Sequence, residues 1–198
     1  DYAYFSSTSK SWLDHASSYV EQIRERLSLD AQSFVIEVAS NDGYLLKNFV
    51  SAGIPCLGIE PTVSTASAAE TLGIPVLRKF FNSNTAERIV NESARADLVI
   101  GNNVYAHVPD INDFTKALKI ILKPRGVVTL EFPHILKLIE ENQFDTVYHE
   151  HFSYLSLYTV SKIFKQTGLK IWDVEHLGTH GGSLRIYGCH IDDPRDTE

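Results

Sequence analysis

A cycle of short β-rich run, polar turn and helical stretch repeats five times along this chain, and that repetition limits the fold more than any single motif. The runs are "SFVIEVA" (33–39), "PCLGIE" (55–60), "IPVL" (74–77), "ADLVIGNN" (96–103) and "GVVTLEF" (126–132). Apolar residues at helical steps lie between them in "YLLKNFVSAG", "STASAAETLG", "NTAERIVNE" and "INDFTKALKIIL", the last stopped by Pro124. Such alternation predicts a parallel sheet joined by right-handed crossovers. The end of the chain differs. After helix-like "SLYTVSKIFKQTG", the runs "LKIWDVEHL" and "GSLRIYGCHI" flank the turn "GTHGG", which reads as a hairpin. The expected architecture is α/β: a mostly parallel seven-stranded sheet with an antiparallel last strand and flanking helices. One more helix precedes it, marked by Leu13, Ala16, Tyr19, Val20, Ile23 and Leu27.

With 198 residues the chain can build a full α/β core. No apolar run reaches the roughly 20 residues that cross a bilayer, so no membrane partner is expected. A formal charge of -7, with no Lys/Arg stripe to offset it, argues against nucleic acid. Cys56 and Cys189 fall inside apolar runs and read as reduced core thiols, which suits a cytoplasmic protein. The chain opens on Asp1-Tyr2 and closes on "DDPRDTE", and is expected to be a piece of a longer protein. Oligomeric state leaves no mark in the sequence.

In open α/β sheets ligands sit at the carboxyl ends of the strands. The first such loop is "EVASNDGY" (37–44), whose lone Gly43 falls short of the GxGxxG that brings backbone close to a dinucleotide pyrophosphate. A ligand without that phosphate pair asks for less. Here the chain resembles the Rossmann-like, class I S-adenosylmethionine methyltransferases, whose loop reads acidic-x-Gly-x-Gly-x-Gly. By that resemblance Glu37 is the acidic residue, and Ala39, Asn41 and Gly43 hold the glycine positions. Asn41 tolerates a left-handed backbone, whereas Ala39 departs from the pattern. Glu60, which ends the second strand, becomes the ribose ligand. Phe81 and Asn82 flank the adenine, and Asn102 and Asn103 line the methionine end. The implied cofactor is S-adenosyl-L-methionine, with S-adenosylhomocysteine as product.

The stretch "TVYHEHFSYLSL" (146–157) gathers two histidines, a glutamate and three aromatics. As a strand it puts His149 and His151 on one face, but spacing nominates no third ligand among His107, His134 and His180, so no metal is expected. A packed seam between sheet and lid remains open, as does an acid–base cluster. Methyl transfer to carbon requires loss of a proton alpha to a carbonyl, a task for histidine near neutral pH. A carboxylate can orient that imidazole and a tyrosine hydroxyl can stabilise an enolate. Tyr148, Glu150 and His151 supply these types within four residues.

The resemblance narrows on "YAYFSSTS", "EVASNDGYLL", "NNVYAHVPD", "EFPHILKLIEENQFDTVYHEHFSYLSL" and "THGGSLRIY". These stretches are similar to deoxysugar C-methyltransferases that act on nucleotide-linked 4-keto sugars. By that resemblance His151 is the general base, Tyr148 and Glu150 its partners, and His107 a further active-site residue. Tyr2 or Tyr4 belongs to a lid. From their positions, His134 at the end of the fifth strand and His180 in the hairpin turn are further substrate candidates, with a helix cap and a plain turn as the alternatives. Residues 1–30 then form a helical lid segment and 31–198 the cofactor-binding domain. By the same resemblance, an N-terminal zinc-binding domain with clustered cysteines and a C-terminal domain that helps hold the sugar nucleotide are expected to lie outside this stretch. An O-methyltransferase using the same cluster, and a non-catalytic cofactor-binding domain, remain alternatives.

Overall fold

The computed structural model describes residues 4–197. The chain divides into two compact units, Asp1–Phe81 and Asn82–Glu198. Its strands form a seven-stranded sheet in the order β3-β2-β1-β4-β5-β7-β6. The expected mostly parallel sheet with an antiparallel last strand is what the chain forms.

The first unit opens with α1 (Lys10–Leu27), capped by the Ser9 hydroxyl on the Trp12 N–H and closed by Ser28 in the left-handed conformation. Its apolar stripe buries Ala16, Tyr19, Val20 and Ile23. Strands β1 (Val35–Val38), β2 (Cys56–Ile59) and β3 (Val76–Leu77) pair in parallel, Val35 opposite Cys56 and Gly58 opposite Val76. All four β1 residues are buried, as a strand covered on both faces requires. Helices α2 (Leu46–Ser51) and α3 (Val63–Thr71) supply the crossovers. Phe49 of α2 is wholly buried, which contributes about 1.5–3 kcal/mol.

The second unit holds α4 (Ser83–Glu92), β4 (Ala96–Asn102), α5 (Ile111–Ile121) and β5 (Leu122–Pro133). After α6 (Ile135–Glu140) and α7 (Leu157–Thr167) come β6 (Leu169–Leu177) and β7 (Ser183–His190). Strand β7 runs antiparallel to both β5 and β6. One strand differs from expectation: β5 begins at Leu122, not Gly126. Leu122 opposes Ala96, and the ladder then skips to Val127 opposite Leu98. The extra residues form a bulge, the kind of site where Pro124, lacking an N–H, is tolerated. Lys123 in that bulge pairs with Asp97 at 2.7 Å.

Both cysteines are buried and free, as the apolar runs implied. No helix among the described residues is long and apolar enough to cross a membrane.

Candidate active site

In the first unit the chain leaves β1 through a loop whose three glycine-equivalent positions are all left-handed: Ala39 at φ 57°, Asn41 at φ 50° and Gly43 at φ 80°. Gly43 is dictated twice over. A Cβ there would lie 2.4 Å from Ile74 Cδ1, and its φ is one that L side chains rarely adopt. Asn41 offsets its own strain with side-chain hydrogen bonds. Its Oδ1 accepts from the N–H of Asp42 at 2.9 Å and of Ser6 at 3.0 Å, and its Nδ2 donates to the Tyr4 carbonyl at 3.1 Å. Asp42 Oδ2 accepts from the Ser7 N–H at 3.1 Å. Residues 4–7 are thus strapped to the loop by two adjacent side chains. Ala39 has no polar atom with which to do the same.

Glu60 follows β2 and is only 5% exposed, so its carboxylate does not face water. Its Oε2 accepts from the Asn41 N–H at 3.0 Å and its Oε1 from the Thr62 N–H at 2.8 Å. Each oxygen keeps a lone pair for a further donor. Glu37 is buried on β1, and burial first, then the charges of Asp42 and Glu60, hold its carboxyl well above the usual carboxylate range; a Tyr44 hydrogen bond opposes this. Glu37 Oε2, Ser40 Oγ and Asp42 Oδ1 are buried without a protein partner. Such orphaned acceptors fit a bound donor-rich ligand. Phe81 is half-buried at the end of this unit.

The remaining positions lie in the second unit. Asn82 caps α4, its Oδ1 accepting from the Thr85 N–H at 2.9 Å. Asn102 ends β4, buried, with Oδ1 unpartnered. Asn103 is left-handed at φ 52°; its N–H donates to the Glu131 carbonyl at 2.8 Å and its Nδ2 meets His180 Nδ1 at 3.4 Å. The structure therefore brings together a residue expected at the cofactor and one expected at the substrate.

His107 ends a 3-10 turn (Tyr105–His107) held from below by the buried Tyr105 hydroxyl, 2.7 Å from Thr115 Oγ1. The segment 147–153 is irregular, not the strand on which a His149–His151 ligand pair depends. It is pinned to the 3-10 turn by the Phe152 and Ser153 N–H groups, both donating to the Ala106 carbonyl. That places His151 4.7 Å from the His107 ring, 4.3 Å from Tyr148 and 6.0 Å from Tyr154 between centroids. His151 Nδ1 lies 2.9 Å from the Thr146 carbonyl. A carbonyl only accepts, so Nδ1 carries a proton, and in the neutral form of the ring Nε2 is the atom with the lone pair. This corrects the expectation that a carboxylate orients the imidazole. Glu150 is exposed; it acts instead on His107, through its charge and through a backbone hydrogen bond. His107 is nonetheless held below the usual histidine range, by burial first and His151 second.

His134 is 8% exposed and precedes α6, whose first turn it does not cap with its side chain. It shares a small pocket with Leu138, Thr146, His151 and Tyr154. His180 is exposed and left-handed at φ 51°. Tyr4 is 53% exposed, and Tyr2 lies outside the described residues. His149 is exposed and joins no ring contact with the cluster. No group of three or more potential metal ligands assembles among the described residues.

Two contributors were not singled out from the sequence. The Thr146 carbonyl is a backbone group and leaves no residue signal. Arg185 does leave one, a charge inside the apolar run "SLRIYG", and it is 2% exposed against Glu131.

Comparisons with known proteins bear on the family and the fold. The chain is 34% identical over 188 residues to the C-methyltransferase NovU of Streptomyces niveus, a match spanning 95% of this chain and 45% of NovU. Among solved structures, an S-adenosylmethionine-dependent methyltransferase from Clostridium acetobutylicum superposes with a TM-score of 0.69 at 13% identity, over 90% of this chain and 92% of that one. Magnesium protoporphyrin IX methyltransferase from Synechocystis, with bound SAH, gives 0.67 at 13% identity over 90% and 81%. Both share the fold. Residues 12–174 match the family described as a methyltransferase domain, and the chain belongs to that family.

Proposed function

We propose that this chain is the catalytic domain of an S-adenosylmethionine-dependent C-methyltransferase that acts alpha to the ketone of a nucleotide-linked keto-deoxysugar. The observation that carries the reading is His151, a histidine whose Nδ1 proton is committed to the Thr146 carbonyl and whose Nε2 is left as a base beside His107 and Tyr148. The 34% identity to a C-methyltransferase supports carbon over oxygen as the acceptor.

Each unit supplies cofactor contacts of its own. Glu60 accepts the ribose hydroxyls, and the left-handed loop with Glu37, Ala39, Asn41 and Gly43 lets backbone approach the nucleoside. Asn102 and Asn103 offer their unpartnered Oδ1 atoms to the amino acid end, with Phe81 and Asn82 at the base. When bound, the cofactor supplies an electrophilic methyl group on a cationic sulfur. His151 Nε2 takes the proton alpha to the ketone, and the electron pair moves onto the carbonyl oxygen as an enolate. Tyr148 donates a hydrogen bond to that oxygen, and Glu150 acts through His107, on which its charge and its backbone hydrogen bond bear. His107, kept neutral by burial, crowds the imidazolium with no second positive charge. His134 and His180 contact the sugar. Residues 1–30 act as a lid to which Tyr4 or Tyr2 belongs, Tyr2 lying outside the described residues; the Asn41 and Asp42 strap on residues 4–7 supports this. Buried free thiols at Cys56 and Cys189 fit a cytoplasmic setting.

Solvent deuterium entering a 4-keto sugar nucleotide, without methyl donor, tests the base. The wild-type protein exchanges the alpha proton and His151→Asn does not; equal exchange by the variant overturns the assignment. An O-methyltransferase gives no exchange at carbon in either protein.

A further inference from the structure

Glu131 is completely buried near the end of β5, and the sheet register sets it opposite Arg185 on β7, which in turn lies opposite Glu175 on β6. Arg185 Nη2 reaches Glu131 at 2.7 Å and its Nη1 reaches Glu175 at 3.2 Å. A buried ion pair adds little net stability, because removing both charges from water costs several kcal/mol. What distinguishes Glu131 is what it grips. Its Oε1 accepts from the Thr179 hydroxyl at 2.8 Å, and its main-chain carbonyl accepts from the Asn103 N–H at 2.8 Å. One residue thereby fixes the strand-end Asn103 and the turn that carries His180.

Asn103 and His180 both occupy the left-handed region, at 52° and 51°, and neither is glycine. Each such residue costs about 1 kcal/mol or more unless its surroundings hold it. They meet through Asn103 Nδ2 and His180 Nδ1. An amide nitrogen can only donate, so His180 Nδ1 accepts and the ring proton sits on Nε2. His151 has the opposite arrangement, with its proton on Nδ1. The turn is braced a second time: Gln143 Nε2 donates to the Gly181 carbonyl at 2.6 Å, and a Cβ on Gly181 would strike that amide.

We propose that Glu131 and Thr179 are positioning residues that lock His180 as an Nε2–H donor, so that the domain presents one histidine as a base and a second, of opposite tautomer, as a hydrogen-bond donor to a substrate oxygen. This rests on the methyltransferase reading for its purpose, but not for its geometry. Arg185 holds the Glu131 carboxylate toward Thr179, and Asn103 fixes the tautomer. The step asks no proton of His180; it donates a hydrogen bond and keeps its proton.

Nitrogen-15 spectra of the imidazoles, recorded above pH ~8 where free histidine is neutral, test the lock directly. His180 is assigned by comparison with His180→Gln. Wild-type protein shows His180 with Nε2 protonated and His151 with Nδ1 protonated. Thr179→Val, which removes the hydroxyl and leaves the Glu131–Arg185 pair, averages His180 toward the mixture of free imidazole, and Thr179→Ser restores it. Thr179→Val also lowers kcat roughly tenfold, with no further loss in the His180→Gln background. A His180 protonated on Nδ1, or unchanged by Thr179→Val, overturns the proposal. If turnover is absent in every form but the tautomers are as stated, the methyltransferase reading fails and the lock stands.

Discussion

His151 donates its Nδ1 proton to the carbonyl of Thr146, which ends the 3-10 turn Phe144–Thr146 just before the irregular segment, at 2.9 Å. An imidazole oriented by a backbone carbonyl does not depend on the rotamer of a partner side chain, and it needs no buried carboxylate with its desolvation cost. The expected consequence is asymmetric. His151→Asn lowers methyl transfer by about 10²-fold or more, the usual worth of a positioned base. Calorimetry with S-adenosylhomocysteine shows unchanged affinity in the same variant. Glu150→Gln, altering an exposed carboxylate that does not orient His151, lowers transfer by less than tenfold; a loss equal to that of His151→Asn disproves the division of labour.

Glu60 has a double duty, because its two oxygens already hold the N–H groups of Asn41 and Thr62. Glu60→Ala removes the ribose acceptor and releases the loop together. Charge-assisted hydrogen bonds contribute roughly 1.5–3 kcal/mol each, so affinity for S-adenosylhomocysteine falls about 10–100-fold. Glu60→Gln keeps one backbone acceptor and is expected to lose less. Calorimetry on both variants checks the order; equal affinity in wild type and Glu60→Ala removes Glu60 from the cofactor site.

The sheet was legible because its strands are short apolar runs separated by helices at regular spacing, and the "GTHGG" turn announced the antiparallel pair. The start of β5 was not, since Pro124 and Gly126 read as punctuation while the ladder absorbs them in a bulge. At the site, residue types singled out Tyr148, Glu150 and His151, and the resemblance added His107, whose ring lies 4.7 Å from that of His151. They did not reveal who orients whom. Thr146 acts through its carbonyl, and the Asn103–His180 contact joins residues 77 positions apart. Pairings of this kind follow from register and from left-handed backbone, neither of which a side-chain pattern encodes.

The left-handed trio after β1 makes paired predictions. Ala39 sits at φ 57° with a Cβ it gains nothing from, so Ala39→Gly is expected to stabilise the protein by about 0.5–1 kcal/mol, or roughly 1–4 °C in Tm. The opposite change, Gly43→Ala, drives a Cβ into Ile74 and imposes strain at φ 80°. It is expected to cost about 2 kcal/mol or more. Thermal melts of the two variants settle both signs; a destabilising Ala39→Gly contradicts the strain assigned to Ala39.

Two groups tilt stability with pH in opposite directions, opposing each other below pH ~6.5 and leaving Glu37 alone to act above it. Burial and the neighbouring Asp42 and Glu60 raise the Glu37 carboxyl, so the folded state keeps a proton that the unfolded chain releases near pH ~4.3. Folded protein then binds more protons than unfolded, and stability is lost as pH rises from that value through the raised one. His107 is depressed by burial and His151, so the unfolded chain takes up a proton first as pH falls below ~6.5. There the unfolded state binds more, and stability is lost on acidification toward the depressed value. Glu37→Gln cannot release a proton, so it flattens the alkaline decline and leaves the His107 loss unopposed on the acid side; His107→Gln removes that loss. Melting temperatures of the three proteins from about pH 4.5 to about pH 8.5 separate the limbs. A Glu37→Gln curve parallel to wild type shows that Glu37 is already ionised in the fold, with its charge met by a group other than Tyr44.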